Sequence, residues 1–252
     1  MTTKIALITG GSRGLGRATA LQLAADGVGV VITYLSRSDD ANEVVGLIEA
    51  AGSTAVALQL DTGDVAQFPD FVDRFREALD TTWGRSTFDY LVNNAGIGIA
   101  APFLETTEEQ FDQLMNIHLK GVFFLTQQLV PLLEDGGRIV NMSTGLARFS
   151  MPGYSVYGSM KGAIEVLTRY LAAELGPRRI AVNVVAPGAI ETDFGGGVVR
   201  DMQEVNDMIA SVTAMGRAGL PDDVGGAVAS LLTGDTQWVT AQRIEVSGGM
   251  NL

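Results

Sequence analysis

The stretch TGGSRGLG (residues 9–16) connects a short apolar segment, KIALIT (4–9), to a helix-length segment from about Gly14 to Asp26. Glycine tolerates the backbone of a tight turn and lets main-chain N–H groups approach an anion at the start of a helix. Strand, glycine-rich turn and helix follow in the order of a dinucleotide-binding unit, although the spacing is G-x-x-x-G-x-G rather than G-x-G-x-x-G. An ordinary glycine-rich turn is the alternative. Nucleotide hydrolysis is disfavoured because no phosphate-loop lysine follows.

Apolar strand-length runs alternate with amphipathic helix-length stretches along the rest of the chain. The predicted strands are 4–9, 28–34, 54–60, 88–94, 137–143, 179–186 and 242–247. The predicted helices lie at about 14–26, 39–51, 65–79, 106–133 and 152–175, with two more before the last strand. This alternation predicts a single α/β domain over residues 1–252, a doubly wound seven-stranded parallel sheet with helices on both faces.

The composition narrows the possible partners and location. The chain has 252 residues, 46% of them hydrophobic, and a formal net charge of −12. So acidic a surface repels nucleic acid and anionic membranes, and neither is an expected partner. Cysteine is absent, so no thiolate metal site or disulfide is expected, and we predict no metal. The start of the chain lacks a signal-peptide pattern, which makes a cytoplasmic location the simplest interpretation.

The end of the second predicted strand, TYLSRS (33–38), bears on cofactor choice. A site for NAD would carry an acid there for the ribose 2′-hydroxyl, but Tyr34 stands in its place. Ser36 and Arg37 follow, and a hydroxyl with a guanidinium suits a 2′-phosphate. Arg13 in the first turn could add a second cation. The sequence therefore favours NADP(H), with NAD(H) possible.

Two acids directly after this segment have a separate explanation. Asp39 and Asp40 are expected in the first turn of the next helix, where negative charge is favourable. Ser38 is the predicted N-cap of that helix.

A tyrosine and a lysine four residues apart lie within YSVYGSMKG (154–162). This spacing puts Tyr157 and Lys161 on one helical face. A nearby ammonium lowers the pKa of a phenol, so the pair could exchange a proton with an alcohol or a carbonyl oxygen. A surface contact without chemistry is the alternative. NMST (141–144) and NNAG (93–96) end two predicted strands at the edge where such sheets bind ligands.

The motifs TGGSRGLG, NNAG, YGSMK and PGAIET (187–192), in this order and spacing, resemble the short-chain dehydrogenase/reductase family over essentially the whole chain. The resemblance implies a Rossmann fold, a nicotinamide cofactor and hydride transfer between alcohol and carbonyl. It implies that Tyr157 is the acid–base residue and that Lys161 lowers its pKa and binds the nicotinamide ribose. The implied cofactor contacts are Gly10, Ser12, Arg13, Leu15 and Gly16 for the phosphates, Asp61 and Thr62 for the adenine, Asn93, Ala95 and Gly96 for the adjoining ribose, and Pro187, Gly188, Ile190 and Thr192 for the nicotinamide end.

Two positions depart from the family pattern. The substrate-binding serine usually lies thirteen residues before the tyrosine, where this chain has Thr144, preceded by Ser143. Either hydroxyl could bind the carbonyl, and the spacing favours Thr144. The family's asparagine for a proton-relay water, three residues before Gly121, is replaced by His118. An imidazole can also bind a water, and the alternative is a histidine packed in an apolar helix face.

The expected activity is NADPH-dependent reduction of a small ketone or aldehyde to an alcohol. Phe149 and Tyr154 would flank the carbonyl, and residues of about 190–215 would form a mobile substrate loop. The alternatives are a 3-oxoacyl-carrier-protein reductase, an NAD-dependent sugar or polyol dehydrogenase, and a cofactor-sensing regulator without catalysis. A carrier protein would need a basic patch of Arg148, Arg169, Arg178 and Arg179. The resemblance also implies a homodimer or homotetramer, formed through the helices at 106–133 and 152–175.

Overall fold

The computed structural model describes residues 3–252, so Met1 and Thr2 of the predicted domain lie outside the described residues. Seven strands form one parallel sheet in the order β3-β2-β1-β4-β5-β6-β7. They are β1 (Ile5–Ile8), β2 (Gly29–Tyr34), β3 (Ala55–Gln59), β4 (Phe88–Asn93), β5 (Leu133–Met142), β6 (Ala181–Pro187) and β7 (Arg243–Val246). The predicted doubly wound α/β fold is confirmed.

Helices connect the strands and cover both faces of the sheet. They are α1 (Gly14–Ala25), α2 (Ser38–Ala50), α3 (Phe68–Trp83), α4 (Glu108–Met115), α5 (Gly121–Leu129), α6 (Ser155–Leu175), α7 (Val198–Asp201), α8 (Gln203–Ser211) and α9 (Pro221–Thr233). No helix within residues 3–252 combines the length and the apolar character needed to cross a bilayer. Because β1 lies between β2 and β4, the carboxyl ends of β1 and β4 flank the crevice in which such sheets bind ligands.

Alternate residues of the central strands face two separate apolar layers. Ala6 and Ile8 of β1 pack with the side chains of α1, α2 and α9, whereas Ile5 and Leu7 pack with those of α3 and α5. All four side chains are fully buried. This is why the central strands read as continuous apolar runs rather than as an alternation of polar and apolar residues.

The predicted helix at 106–133 is wrong in one respect, because it is not a single α-helix. A π-helical turn, Asn116–Lys120, separates α4 from α5. The N–H of Gly121 donates to the carbonyl of Asn116, five residues earlier. One extra residue is thereby accommodated, and the buried His118 lies in the middle of this turn.

Candidate active site

The glycine-rich turn packs tightly against the end of β4. Gly10 and Gly14 have positive φ angles of 67° and 54°, a conformation that favours glycine. A Cβ at Gly16 would collide with the carbonyl oxygen of Gly10. The side-chain amide of Asn94 donates to the carbonyls of Thr9 (2.9 Å) and Gly10 (3.0 Å) and so fixes the turn.

The residues present fit the phosphates of a dinucleotide. The first N–H groups of α1 have no partners within the helix and form the positive end of its dipole, beside a turn without side-chain bulk. Ser12 is buried in this turn, and Arg13 is the N-cap residue of α1. The guanidinium of Arg13 is 3.3 Å from the Asp193 carboxylate, so this cation is already paired.

The segment after β2 is exposed. Tyr34 ends the strand half-buried, and Ser36 and Arg37 are at the surface. Arg37 forms an ion pair of 3.2 Å with Asp40. The prediction that Ser38 caps α2 is wrong: it is the first helical residue, and Arg37 occupies the N-cap without a side-chain hydrogen bond. Asp40 does lie in the first turn, as predicted.

Predicted adenine and ribose residues meet at the ends of β3 and β4. Thr62, Asn93 and Ala95 line one small pocket there. The Asp61 carboxylate accepts from the N–H of Gly63 at 2.8 Å, which shapes the loop after β3.

The side chain of Asn93 points away from this role. It is buried, and its amide donates to Thr126 (3.0 Å) and Asn141 (2.8 Å). Through these two bonds the side chain joins β4 to β5 and α5.

The predicted nicotinamide end follows β6. Pro187 is buried, and a Cβ at Gly188 would lie 3.0 Å from Ser247, so glycine permits close contact with the segment after β7. Ile190 forms a parallel bridge with Gly219. A Cβ at Gly14 would lie 3.6 Å from the Thr192 methyl, which places this segment beside the glycine-rich turn.

Tyr157 and Lys161 lie on one face of α6, both buried, at 7% and 5% exposure. The Lys161 ammonium is 5.8 Å from the centre of the Tyr157 ring and donates to the carbonyl of Met142 at 2.8 Å. The Thr144 hydroxyl lies close enough to the Tyr157 phenol to act on its pKa. A phenol, a hydroxyl and an ammonium therefore converge at the carboxyl edge of β5.

The pKa values in this cluster are governed by burial. Burial raises the pKa of the Tyr157 phenol, while the neighbouring Thr144 hydroxyl acts in the opposite direction. The Lys161 ammonium is directed at the Met142 carbonyl and is not among the groups that shift the Tyr157 pKa here. Burial also lowers the pKa of Lys161, to about 7.

The two adjacent hydroxyls differ in direction. Ser143 is buried and donates to the Glu165 carboxylate at 2.7 Å. Thr144 is half-buried, lies beside the Tyr157 phenol and accepts from the N–H of Leu146 at 3.3 Å. Thr144 is therefore the hydroxyl next to Tyr157, whereas Ser143 is held by Glu165, two turns further along the same helix.

His118 is 1% exposed and packs edge-on against Tyr157, with ring centres 5.2 Å apart. Its Nε2 is 2.7 Å from the carbonyl oxygen and 3.3 Å from the nitrogen of Ile97. The shorter contact fits a protonated Nε2 that donates to the carbonyl, which leaves Nδ1 as an acceptor. Within the described residues, Nδ1 is buried without a hydrogen-bond partner. Burial, reinforced by the charge of Lys161, lowers the His118 pKa to about 3, so the ring is neutral.

One residue near Tyr157, Phe194, is absent from the sequence-based prediction. The Phe194 ring lies 5.8 Å from the Tyr157 ring. A Cβ at Gly98 would lie only 2.8 Å from the Phe194 ring, so glycine leaves room for this phenylalanine. Tyr154 is 6.4 Å from Tyr157, as expected of a flanking residue, whereas Phe149 packs in the separate apolar cluster around Ile209. The triple glycine at 195–197 was a signal for a special turn but did not identify Phe194.

Known proteins resemble this chain along nearly its full length. A family model described as enoyl-(acyl carrier protein) reductase matches residues 10–251. An uncharacterized oxidoreductase of Methylorubrum extorquens is 39% identical, covering 98% of this chain and 97% of the relative. The hydroxynaphthalene reductase-like protein Arp2 of Metarhizium brunneum is 37% identical, covering 98% of this chain and 94% of the relative.

Solved structures match equally well. The reductase LugOII, which catalyses keto-reduction at C1 during lugdunomycin biosynthesis, has a TM-score of 0.94 at 38% identity and covers 98% of this chain and 97% of its own. The angucycline C-6 ketoreductase LanV with bound NADP has a TM-score of 0.94 at 35% identity and covers 99% and 96%. Sequence, motif order and backbone agree: the chain belongs to the short-chain dehydrogenase/reductase family.

Proposed function

We propose that this protein is an NADPH-dependent ketoreductase that reduces the carbonyl of a small, planar aromatic ketone to an alcohol. The observation that carries the proposal is the convergence of Tyr157, Thr144 and Lys161 at the carboxyl edge of β5. Bound NADPH would supply the hydride. The chain's own residues supply orientation and the proton.

Thr144 would donate a hydrogen bond to the carbonyl oxygen and thereby position the substrate. Tyr157 would give its phenolic proton to the same oxygen as negative charge develops there. The Lys161 ammonium would stabilise the phenolate that remains. With a pKa of about 7, Lys161 is also close to the range in which a group readily takes up and releases protons.

His118 is proposed to take part in proton resupply. Its Nε2 contacts Ile97, and the buried Nδ1 is an acceptor next to Tyr157 and Lys161. An uncharged imidazole of this kind suits a bound water, which would pass protons toward Lys161. The π turn supports this role because such turns often occur at functional sites.

The proposed cofactor preference for NADP(H) rests on relatives and on local charge. LanV was solved with NADP, and another relative, a blue fluorescent protein from a metagenomic library, with NADPH. Ser36 and Arg37 would bind the 2′-phosphate, for which Arg37 would exchange its exposed partner Asp40. Arg13 is paired with Asp193 and would have to exchange that partner to add a second cation. We propose the remaining predicted contacts, from Gly10 to Thr192, as the cofactor site.

The aromatic substrate is suggested by the groups around the phenol. Phe194 and Tyr154 lie on two sides of Tyr157, so a flat ring system would pack against aromatic faces. The names of the relatives, a hydroxynaphthalene reductase-like protein and an angucycline ketoreductase, agree with this. The loop of about 190–215, which includes Phe194, is the proposed substrate loop.

The alternatives have less support. Arg148 follows β5 and pairs with Glu245, whereas Arg178 precedes β6 and pairs with Asp135, so the two lie at opposite ends of the sheet. The four arginines therefore do not form the single basic patch that binding of an acidic carrier protein would need. A sensor without catalysis would not need a buried lysine beside a buried phenol.

The test is a panel of ketones assayed with NADPH and with NADH. It should include a polycyclic aromatic ketone, an acyl thioester, a sugar and an aliphatic ketone. We expect the aromatic ketone with NADPH to give the highest kcat/KM. Preference for the sugar with NADH, or for the thioester, would contradict the proposal.

We also propose a homo-oligomer, located in the cytoplasm. Apolar side chains on α4, α5 and α6 remain exposed, namely Phe111, Phe123, Phe124, Val166 and Tyr170 at 37–65%. A patch of this kind is typical of an interaction surface. Light scattering at micromolar concentration is expected to give a dimer or tetramer, and a monomer would contradict this.

A further inference from the structure

The active face of α6 continues one turn beyond the two residues already discussed. Tyr157, Lys161 and Glu165 are spaced by four and therefore form one stripe along the helix. Each contacts a different residue at the end of β5. The three contacts join Tyr157 to Thr144, Lys161 to the Met142 carbonyl, and Glu165 to the Ser143 hydroxyl.

Arg243, the first residue of β7, connects to the same place. Its Nε donates to Glu165 at 2.7 Å, and its Nη2 donates to the main-chain carbonyl of Thr144 at 3.2 Å. The remaining Nη1 donates to Glu245 at 2.9 Å. The Arg243 and Glu165 side chains are only 23% and 15% exposed, so water competes weakly for this pair.

The backbone explains why these contacts matter for Thr144. Thr144 is extended, with φ −162° and ψ 156°, and successive side chains of an extended segment point to opposite sides. Because Glu165 fixes the Ser143 hydroxyl at its own turn of α6, the next residue along the extended segment, Thr144, is left to face the turn that carries Tyr157. The bond from Arg243 to the Thr144 carbonyl fixes the same segment from the β7 side.

We infer that Glu165 and Arg243 are positioning residues that orient the Thr144 hydroxyl toward Tyr157 and the substrate carbonyl. The inference rests on the proposed function for its catalytic consequence. Neither residue touches the reacting atoms. Their effect passes through Ser143 and through the main chain of Thr144.

The first test compares Glu165→Ala with Glu165→Gln. The glutamine keeps an oxygen that accepts from Ser143, whereas the alanine removes it. We expect the alanine variant to lose about 10- to 100-fold in kcat, the scale of a slightly misplaced group, and the glutamine variant to retain most of it. Both should bind NADPH with nearly unchanged Kd, because the cofactor residues are not involved. Arg243→Ala should resemble Glu165→Ala.

The matched control is Arg178→Ala. Arg178 also pairs with an acid, Asp135, and with main-chain carbonyls of Val130 and Leu133, but at the other end of β5. The Arg178→Ala substitution should lower Tm without lowering kcat. If Glu165→Ala likewise lowers only Tm, the positioning role is wrong and the pair is merely structural.

Crystal structures of the wild type and Glu165→Ala make the test independent of turnover. We expect the Thr144 hydroxyl to move away from Tyr157 in the variant, and an unmoved Thr144 would overturn the inference. A wild-type protein that reduces no ketone would instead overturn the proposed function.

Discussion

The two ends of the proposed cofactor site differ in how their charged groups are held. At the chemical end, Lys161 and His118 are at most 5% exposed, and burial lowers the pKa of both. At the other end, the side chains of Arg13 and Arg37 are 50% and 54% exposed and form ion pairs with surface acids. Such surface pairs contribute about 0–1 kcal/mol, so an incoming phosphate displaces them easily. Under the proposed function, reactivity would thus be built into the core, while cofactor choice would depend on exchangeable surface contacts.

Replacing Tyr157 by phenylalanine should give the largest effect, because the buried end has no substitute for the phenol. We expect kcat to fall by about 10²- to 10⁴-fold, the usual contribution of a general acid. The Kd for NADPH should stay nearly constant, since the lost group acts in the transition state. Single-turnover kinetics together with a fluorescence titration measure both. A variant that keeps more than about a tenth of wild-type kcat would exclude Tyr157 as the acid.

His118 variants test whether the buried end also needs a proton path. If Nδ1 binds a relay water, His118→Asn should keep most activity, whereas His118→Leu should lose about tenfold in kcat because leucine cannot bind water.

If the histidine only packs, the ranking reverses: leucine is tolerated, and asparagine costs stability as a poorly satisfied buried amide. Measuring kcat and Tm for both variants separates the two cases, and near-normal kcat in the leucine variant would exclude the relay.

At the exposed end, Arg37→Ala should change selectivity rather than chemistry. Loss of one charge-assisted hydrogen bond should raise the KM for NADPH by about tenfold and leave the KM for NADH nearly unchanged. Asp40→Asn is the matched control, because it frees Arg37 from its ion pair without removing the cation. Equal effects on both cofactors, or a wild-type preference for NADH, would show that Arg37 does not bind the 2′-phosphate.

The smallest predicted effect is on how the stability of the folded protein depends on pH. The His118 pKa is about 3 in the folded protein and 6.5 as the ordinary value. Below pH 6.5 the unfolded chain binds a proton that the folded protein does not, so stability falls as the pH drops from 6.5 toward 3. At about pH 5 the loss from this residue is about 2 kcal/mol. His118→Gln, which does not titrate, should lose less Tm between about pH 7 and 5; an identical loss would contradict the pKa.

Local patterns predicted the parts of the molecule that local interactions determine. The alternation of strands and helices identified the sheet, and the spacing of Tyr157 and Lys161 placed both on one helix face. The contacts of the segment 143–144 are beyond such patterns, since one of its partners is Arg243, 99 residues after Thr144. The pairing of Arg13 with Asp193, 180 residues away, was hidden for the same reason. The π turn was not predicted, because one extra residue hardly changes the spacing of apolar residues along a helix.

That π turn limits how the length of the chain can change. A Cβ at Gly121, directly after the turn, would collide with the carbonyl oxygen of Thr62. Deleting one residue of Asn116–Lys120 would remove the extra residue and leave Gly121 in place. Deleting one residue of α4, with the start of α4 and the turn kept, would instead move Val122 into the position of Gly121. The valine side chain would then collide with the loop after β3. In evolutionary terms, a single-residue deletion in α4 would be selected against, whereas one inside the π turn would be compatible with the contact between Gly121 and Thr62.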